Sequence, residues 1–121
     1  MGFVVGNIPA GNTTAWYIVR AVGPSLSQFG ITNADRHVTL TLTNSKGQAL
    51  PGPGIPYAFD VNASFALVGA FPLVSGTAGD AYLIVPLPSG IYTARVSDSS
   101  GNGGQVLIEA YASPTPVIVA E

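Results

Sequence analysis

Residues 37–43, His-Val-Thr-Leu-Thr-Leu-Thr, alternate without a break: Val38, Leu40 and Leu42 fall on one face, Thr39, Thr41 and Thr43 on the other. A two-residue period is that of a β-strand, and apolar-in, hydroxyl-out alternation marks one with a dry face and a wet face. Asn44-Ser45-Lys46-Gly47 follows as a turn, glycine supplying the positive φ. Upstream, residues 15–22 (AWYIVRAV) put Trp16, Ile18, Arg20 and Val22 on one face and Tyr17, Val19 and Ala21 on the other. Both faces are mostly apolar, which predicts a strand central in its sheet. Gly23-Pro24-Ser25 ends it, because proline cannot donate to a central ladder.

The same reading extends outward. Phe3–Val5, Ala81–Leu87, Ile91–Asp98 and Gln105–Ala112 are strand-like runs. Pro88-Ser89-Gly90 and Ser99-Ser100-Gly101-Asn102-Gly103-Gly104 connect the later ones. Helical spacing occurs once, over Asp60–Ala70, where Asp60 suits an N-cap and Val61, Phe65 and Val68 share a face. Pro51–Pro56 reads as an irregular loop. The expectation is an all-β chain, a β-sandwich or jelly roll of about seven to eight strands with at most one short helix near residues 60–70. Residues 1–112 form the sandwich domain and 113–116 a proline-rich linker of polyproline type. Residues 117–121 form a last strand, which either closes its own sheet or is donated to a neighbour.

At 121 residues the chain supports one domain. It is 47% hydrophobic, with a mean hydropathy of +0.42, and only 8% charged. An ordinary soluble domain is about 25% charged, so Thr, Ser, Asn, Gly and Ala must make much of this surface. Disorder is excluded by the apolar content, and no apolar stretch approaches the roughly 20 residues of a spanning helix. The net charge is −2, and the four basic residues, Arg20, Arg36, Lys46 and Arg95, are scattered, which speaks against nucleic acid as a partner. Without cysteine there is neither a disulfide framework nor a thiolate metal site. The sequence opens on strand-like residues, with no signal-peptide pattern. A folded surface so poor in charge suits one that is covered, and neighbouring copies of the chain would cover it.

Several blocks carry a family resemblance. Gly2–Leu26 (GFVVGNIPAGNTTAWYIVRAVGPSL), Phe29-Gly30, Val38–Gly47 (VTLTLTNSKG), Val68–Leu73 (VGAFPL), Asp80–Thr93 (DAYLIVPLPSGIYT) and Val106–Tyr111 (VLIEAY) occur in order. Together they resemble a repeat domain of long secreted proteins of Verrucomicrobia and related bacteria. The last part is also similar to bacterial pre-peptidase C-terminal domains, a β-sandwich class attached to secreted hydrolases. The resemblance implies export to the extracellular space or cell surface, a sandwich fold, and a repeated or accessory module. It supplies no catalytic motif to carry over. The chain departs from the repeat at Pro51–Pro56 and in the tail after Tyr111.

Residues with chemical potential are few. His37, the lone histidine, stands beside Asp35 and Arg36, where a solvated turn is the plainer reading. Ser25 in GPSLS lacks the flanking glycines of a nucleophile elbow. Asp98 before SSGNGG faintly resembles a calcium loop, but the alternating acidic ligands are missing and a hairpin turn explains it better. Asp60 and Asp80 have no spacing that demands a carbohydrate or calcium site. Trp16, Tyr17, Tyr57, Tyr82, Tyr92 and Tyr111 suit core packing, or a sugar platform if they are exposed and coplanar. Asn12-Thr13-Thr14 and Asn62-Ala63-Ser64 fit the glycosylation sequon, and as loop residues need no such role. Arg20 and Glu109 each interrupt an apolar strand, which predicts that Arg20 meets a carboxylate, Glu109 or Asp80, or backbone carbonyls, as a structural pair.

The expectation is therefore a chain with no catalytic, cofactor or metal residues, and with no enzymatic role. It would be a structural module joining copies of itself head to tail, or neighbouring repeats, into a filament or surface layer by strand addition through Phe3, Val4 and Val5 or Val117, Ile118 and Val119. The alternative is an accessory carbohydrate-binding or adhesion domain of a larger secreted protein, with a glycan as partner.

Overall fold

The computed structural model describes residues 1–6, 8–50, 58–74, 79–98, 100–101 and 103–120. The expected loop at Pro51–Pro56, Tyr57, Ser99, Asn102 and Glu121 lie outside the described residues. Two antiparallel sheets pack face to face with one short α-helix, a sandwich-like, mostly β arrangement. The strands are β1 (Gly2–Val5), β2 (Ala15–Val22), β3 (Val38–Asn44), β4 (Ala49–Leu50), β5 (Ala58–Phe59), β6 (Ala81–Leu87), β7 (Gly90–Asp98), β8 (Leu107–Ser113) and β9 (Ile118–Ala120). The helix, α1, spans Val61–Leu67. One sheet has the order β1-β7-β3-β4, the other β6-β2-β8, and β5 pairs with β9 in a separate ribbon.

The two apolar faces of β2 have two destinations. Val19, with Val85 and Leu87 of β6, meets Val5, Leu42, Tyr92 and Ala94 of the four-stranded sheet in the core between the sheets. Ile18, with Ile84, faces the other way and packs under Phe65 of α1 and Ala70. The three-stranded sheet is thus a middle layer, dry on both sides, and its central strand reads as a nearly continuous apolar run for that reason. In β3, Val38 and Leu42 are buried while Thr39 and Thr41 are exposed. Pro86 sits in β6 without harm because β6 is an edge strand.

Asp60 caps α1, its carboxylate accepting from the Ala63 amide at 3.1 Å. A 3-10 helix over Pro24–Phe29 follows β2, where the sequence indicated only a stop. Its cap is non-local: the Asp80 carboxylate accepts from the amides of Gly23 (2.8 Å) and Ser25 (3.2 Å), the latter 55 residues away in sequence. The two-residue strands β4 and β5 are too short to carry a period. The strand expected from Gln105 begins instead at Leu107, because Gln105 bridges in parallel to Ala34.

That bridge belongs to a crowded crossing. A Cβ at Gly23 would lie 2.0 Å from the Asp35 carbonyl oxygen and 2.7 Å from Val38 Cγ2, where no side chain fits. Replacing Gly23 by alanine should therefore destabilise the fold by about 1–3 kcal/mol or more, read as a lower urea midpoint. An unchanged midpoint would mean that the crossing is looser than described.

Candidate functional site

The blocks that stand out in the sequence meet around Arg20. Its side chain is fully buried, on the face of β2 that looks toward α1. Nε donates to Glu109 Oε1 at 2.9 Å, across the β2–β8 ladder where Arg20 and Glu109 are register partners. Nη1 donates to the Phe71 carbonyl at 2.6 Å. The guanidinium carbon lies 4.6 Å from the centre of the Phe65 ring and 4.5 Å from that of Phe71, so the cation is held against two aromatic faces. Nη2 is buried without a hydrogen-bond partner. Glu109 Oε2 accepts from the Tyr111 hydroxyl. Among the described residues this is the one ion pair, and its setting is that of a structural clamp.

Asp80, the other carboxylate considered for Arg20, is engaged elsewhere. Besides the two amides it accepts the Ser25 hydroxyl, and Ser25 Oγ in turn accepts from the Val74 amide at 2.8 Å. Ser25 is fully buried, with its hydroxyl used in both directions, which unfits it as a nucleophile. Asp60 accepts from an amide of α1 and Asp80 from amides at the start of the 3-10 helix, and the two do not form a shared site. Asp98 organises its own loop, accepting from the Ser100 amide and hydroxyl and from the amides of Gly101 and Gly103. The Ser100 hydroxyl, with those amides, holds its carboxyl well below the usual carboxylate range. His37 is exposed at the start of β3, its amide donating to Asp35 Oδ1 at 2.9 Å. No group of three or more potential metal-ligating side chains gathers among the described residues.

The aromatics are mostly internal. Phe3 stacks on Tyr17 and Tyr92 at 5.6 and 5.7 Å beside the core between the sheets. Trp16 meets Phe59 edge to face. Among the described residues the exposed rings are Phe29 and Tyr82, and they too meet Phe71 and Phe65, at 76° and 86°. These edge-on contacts do not present the coplanar rings on which a sugar would stack. Phe65 and Phe71 escaped the sequence reading as partners of Arg20, although VGAFPL placed Phe71 in a recognisable block.

The strands considered for assembly lie at margins. In β1 the side chains alternate: Phe3 is half-buried, Val5 buried, and Val4 69% exposed opposite Ile91 of β7, itself 60% exposed. In the tail, Val117 and Ile118 are half-buried and Val119 is 63% exposed. Ser113 is the last residue of β8, and Pro116 is buried.

Removing one partner of the clamp leaves a buried charge uncompensated. Glu109→Ala should cost about 3–5 kcal/mol, whereas Arg20→Met combined with Glu109→Gln should recover much of that loss. Additive losses in the double variant would show that the pair is not a unit. Burial, then the hydrogen bond to Glu109 and its charge, push the Tyr111 phenol from 10.0 up to about 12. The fold favours the neutral phenol, so this contribution is complete below pH 10 and is lost as pH rises toward 12. Burial also raises the Tyr92 phenol, so alkaline absorbance titration should show late tyrosines of which Tyr111→Phe removes one; ionisation of every tyrosine near pH ~10 would contradict this. No family model matches this chain, and neither a curated protein nor a solved structure does.

Proposed function

We propose that this chain is a non-enzymatic structural module of an exported bacterial protein, joining copies of itself by β-strand addition into an extracellular filament or surface layer. The observation that carries the reading is the placement of β1 and β9. The order β1-β7-β3-β4 leaves one side of β1 without a ladder partner among the described strands. Its outward side chain Val4, with Ile91 across the ladder, forms an apolar pair in the open. Such an edge is a template for another strand. At the other end, among the described strands β9 pairs with the two-residue strand β5, and Val117 just before it donates to Ser64 of α1. A surface with only 8% charged residues offers little repulsion between copies. Export and the bacterial setting rest on the resemblance to secreted repeat proteins.

A second reading, an accessory adhesion or carbohydrate-binding domain, has one observation in its favour. Adjoining clefts of about 350 and 380 Å³ share Thr32, Ala34 and Arg36 at one end of the sandwich. The second, lined by Thr32, Asn33, Arg36, His37, Asp98 and Ser100, suits hydroxyl-rich ligands, though among the described residues no exposed coplanar aromatics accompany it.

Light scattering and negative-stain microscopy over a concentration series test the first reading. The expected result is growth from single chains to larger species. Single chains at the highest soluble concentration would overturn it and direct attention to glycan binding at the clefts.

A further inference from the structure

Resting on the assembly reading, we infer that the exchanged element is β9, swapped from its own groove into the same groove of a second copy, with Pro114 and Thr115 as the hinge. The groove is built by β5 and the first turns of α1. Val117 anchors the tail there through its main chain: its amide donates to Ser64 Oγ at 3.0 Å, and its carbonyl accepts from the Asp60 amide at 2.8 Å. Pro116 is buried, Ile118 is half-buried opposite Phe59, and Ala120 lies opposite Ala58 in register. Ser64 is itself fully buried. Withdrawing the tail takes the Val117 amide from that hydroxyl and the Val117 carbonyl from the Asp60 amide, so an empty groove is disfavoured.

Nothing in this docking distinguishes one copy's tail from another's. The anchoring hydrogen bonds are to main-chain groups of Val117, and the packing residues recur in every chain. The closed single chain and the exchanged assembly therefore share one interface and differ at the hinge. There the sequence favours opening. Ser113 and Thr115 both precede proline, which biases them toward extended backbone, and Pro114 and Pro116 bring no amide of their own to a ladder. In the closed chain, however, the path bends at Pro114 and Thr115 to bring β9 back over α1. An extended hinge carries β9 away from its own groove and toward another's. Each chain then gives one strand and receives one, which closes as a dimer or runs on as a fibre according to the angle of the hinge.

The test compares the full chain with three variants by light scattering at matched concentrations. One inserts Gly-Gly-Ser-Ser between Pro114 and Thr115, the second is Ile118→Asp, and the third is Val4→Asp. The insertion leaves every groove residue in place, so it stays informative even if Ile118→Asp fails to fold. Exchange of β9 requires that the insertion and Ile118→Asp each raise the concentration for half-assembly by about tenfold or more, with Val4→Asp near the parent value. Loss of assembly in Val4→Asp alone, with the insertion unchanged, would overturn exchange of β9 and leave strand addition standing through β1. Single chains from the parent at every concentration would overturn both readings.

Discussion

A guanidinium taken wholly out of water is the constraint around which this fold is arranged. Arg20 lies in the middle strand of the middle layer, and its charge must be answered from three directions. Glu109 supplies the counter-charge from β8, the Phe71 carbonyl an acceptor from the segment after α1, and Phe65 and Phe71 the two ring faces. Buried ion pairs are poor evidence for added stability, because desolvation offsets most of the attraction. What this one specifies is register. A slip of one residue in β2 would turn Arg20 toward the core between the sheets and leave Glu109 without its partner, so wrong pairings carry an uncompensated charge. The clamp also ties α1 and the Phe71 segment to the sheet.

The remaining polar contacts extend the same logic. Asp80, at the start of β6, caps the 3-10 helix that follows β2, and Ser25 passes that hold to the Val74 amide. The segments RAVGPSL, VGAFPL, DAYL and VLIEAY are thus contributors to one connected set of contacts. What those segments share is a part in the scaffold. A motif can stand out in a sequence because the fold needs it, with no substrate involved.

Legibility in the sequence follows the range of the forces involved. The bounds of β2 and β6 were readable because alternation and Gly/Pro punctuation are local. The pairing of Arg20 with Glu109 was within reach because each charge interrupts an apolar run and each needs a partner. The 3-10 helix was not readable: its cap comes from Asp80, far along the chain, and Gly-Pro-Ser alone signals only an end. The roles of Phe65 and Phe71 were hidden for a similar reason, since an aromatic in an apolar stretch looks the same whether it packs on leucine or on a guanidinium. Strands of two residues, such as β4 and β5, exist only through their partners.

In the proposed assembly, particular margins of the sheets do the joining. β6 carries Pro86, which removes an amide from its open side, and β4 is only two residues long, so both edges are poor templates. β8 runs directly into Pro114, which limits extension of that ladder. Gly2–Val5 has no such guard: it holds neither proline nor charge, and Val4 faces outward. β9 is unguarded in another sense, since its anchoring is main-chain and its hinge is rich in proline. Of the two elements proposed to join copies of the chain, β9 alone has an acceptor groove that the single chain already fills.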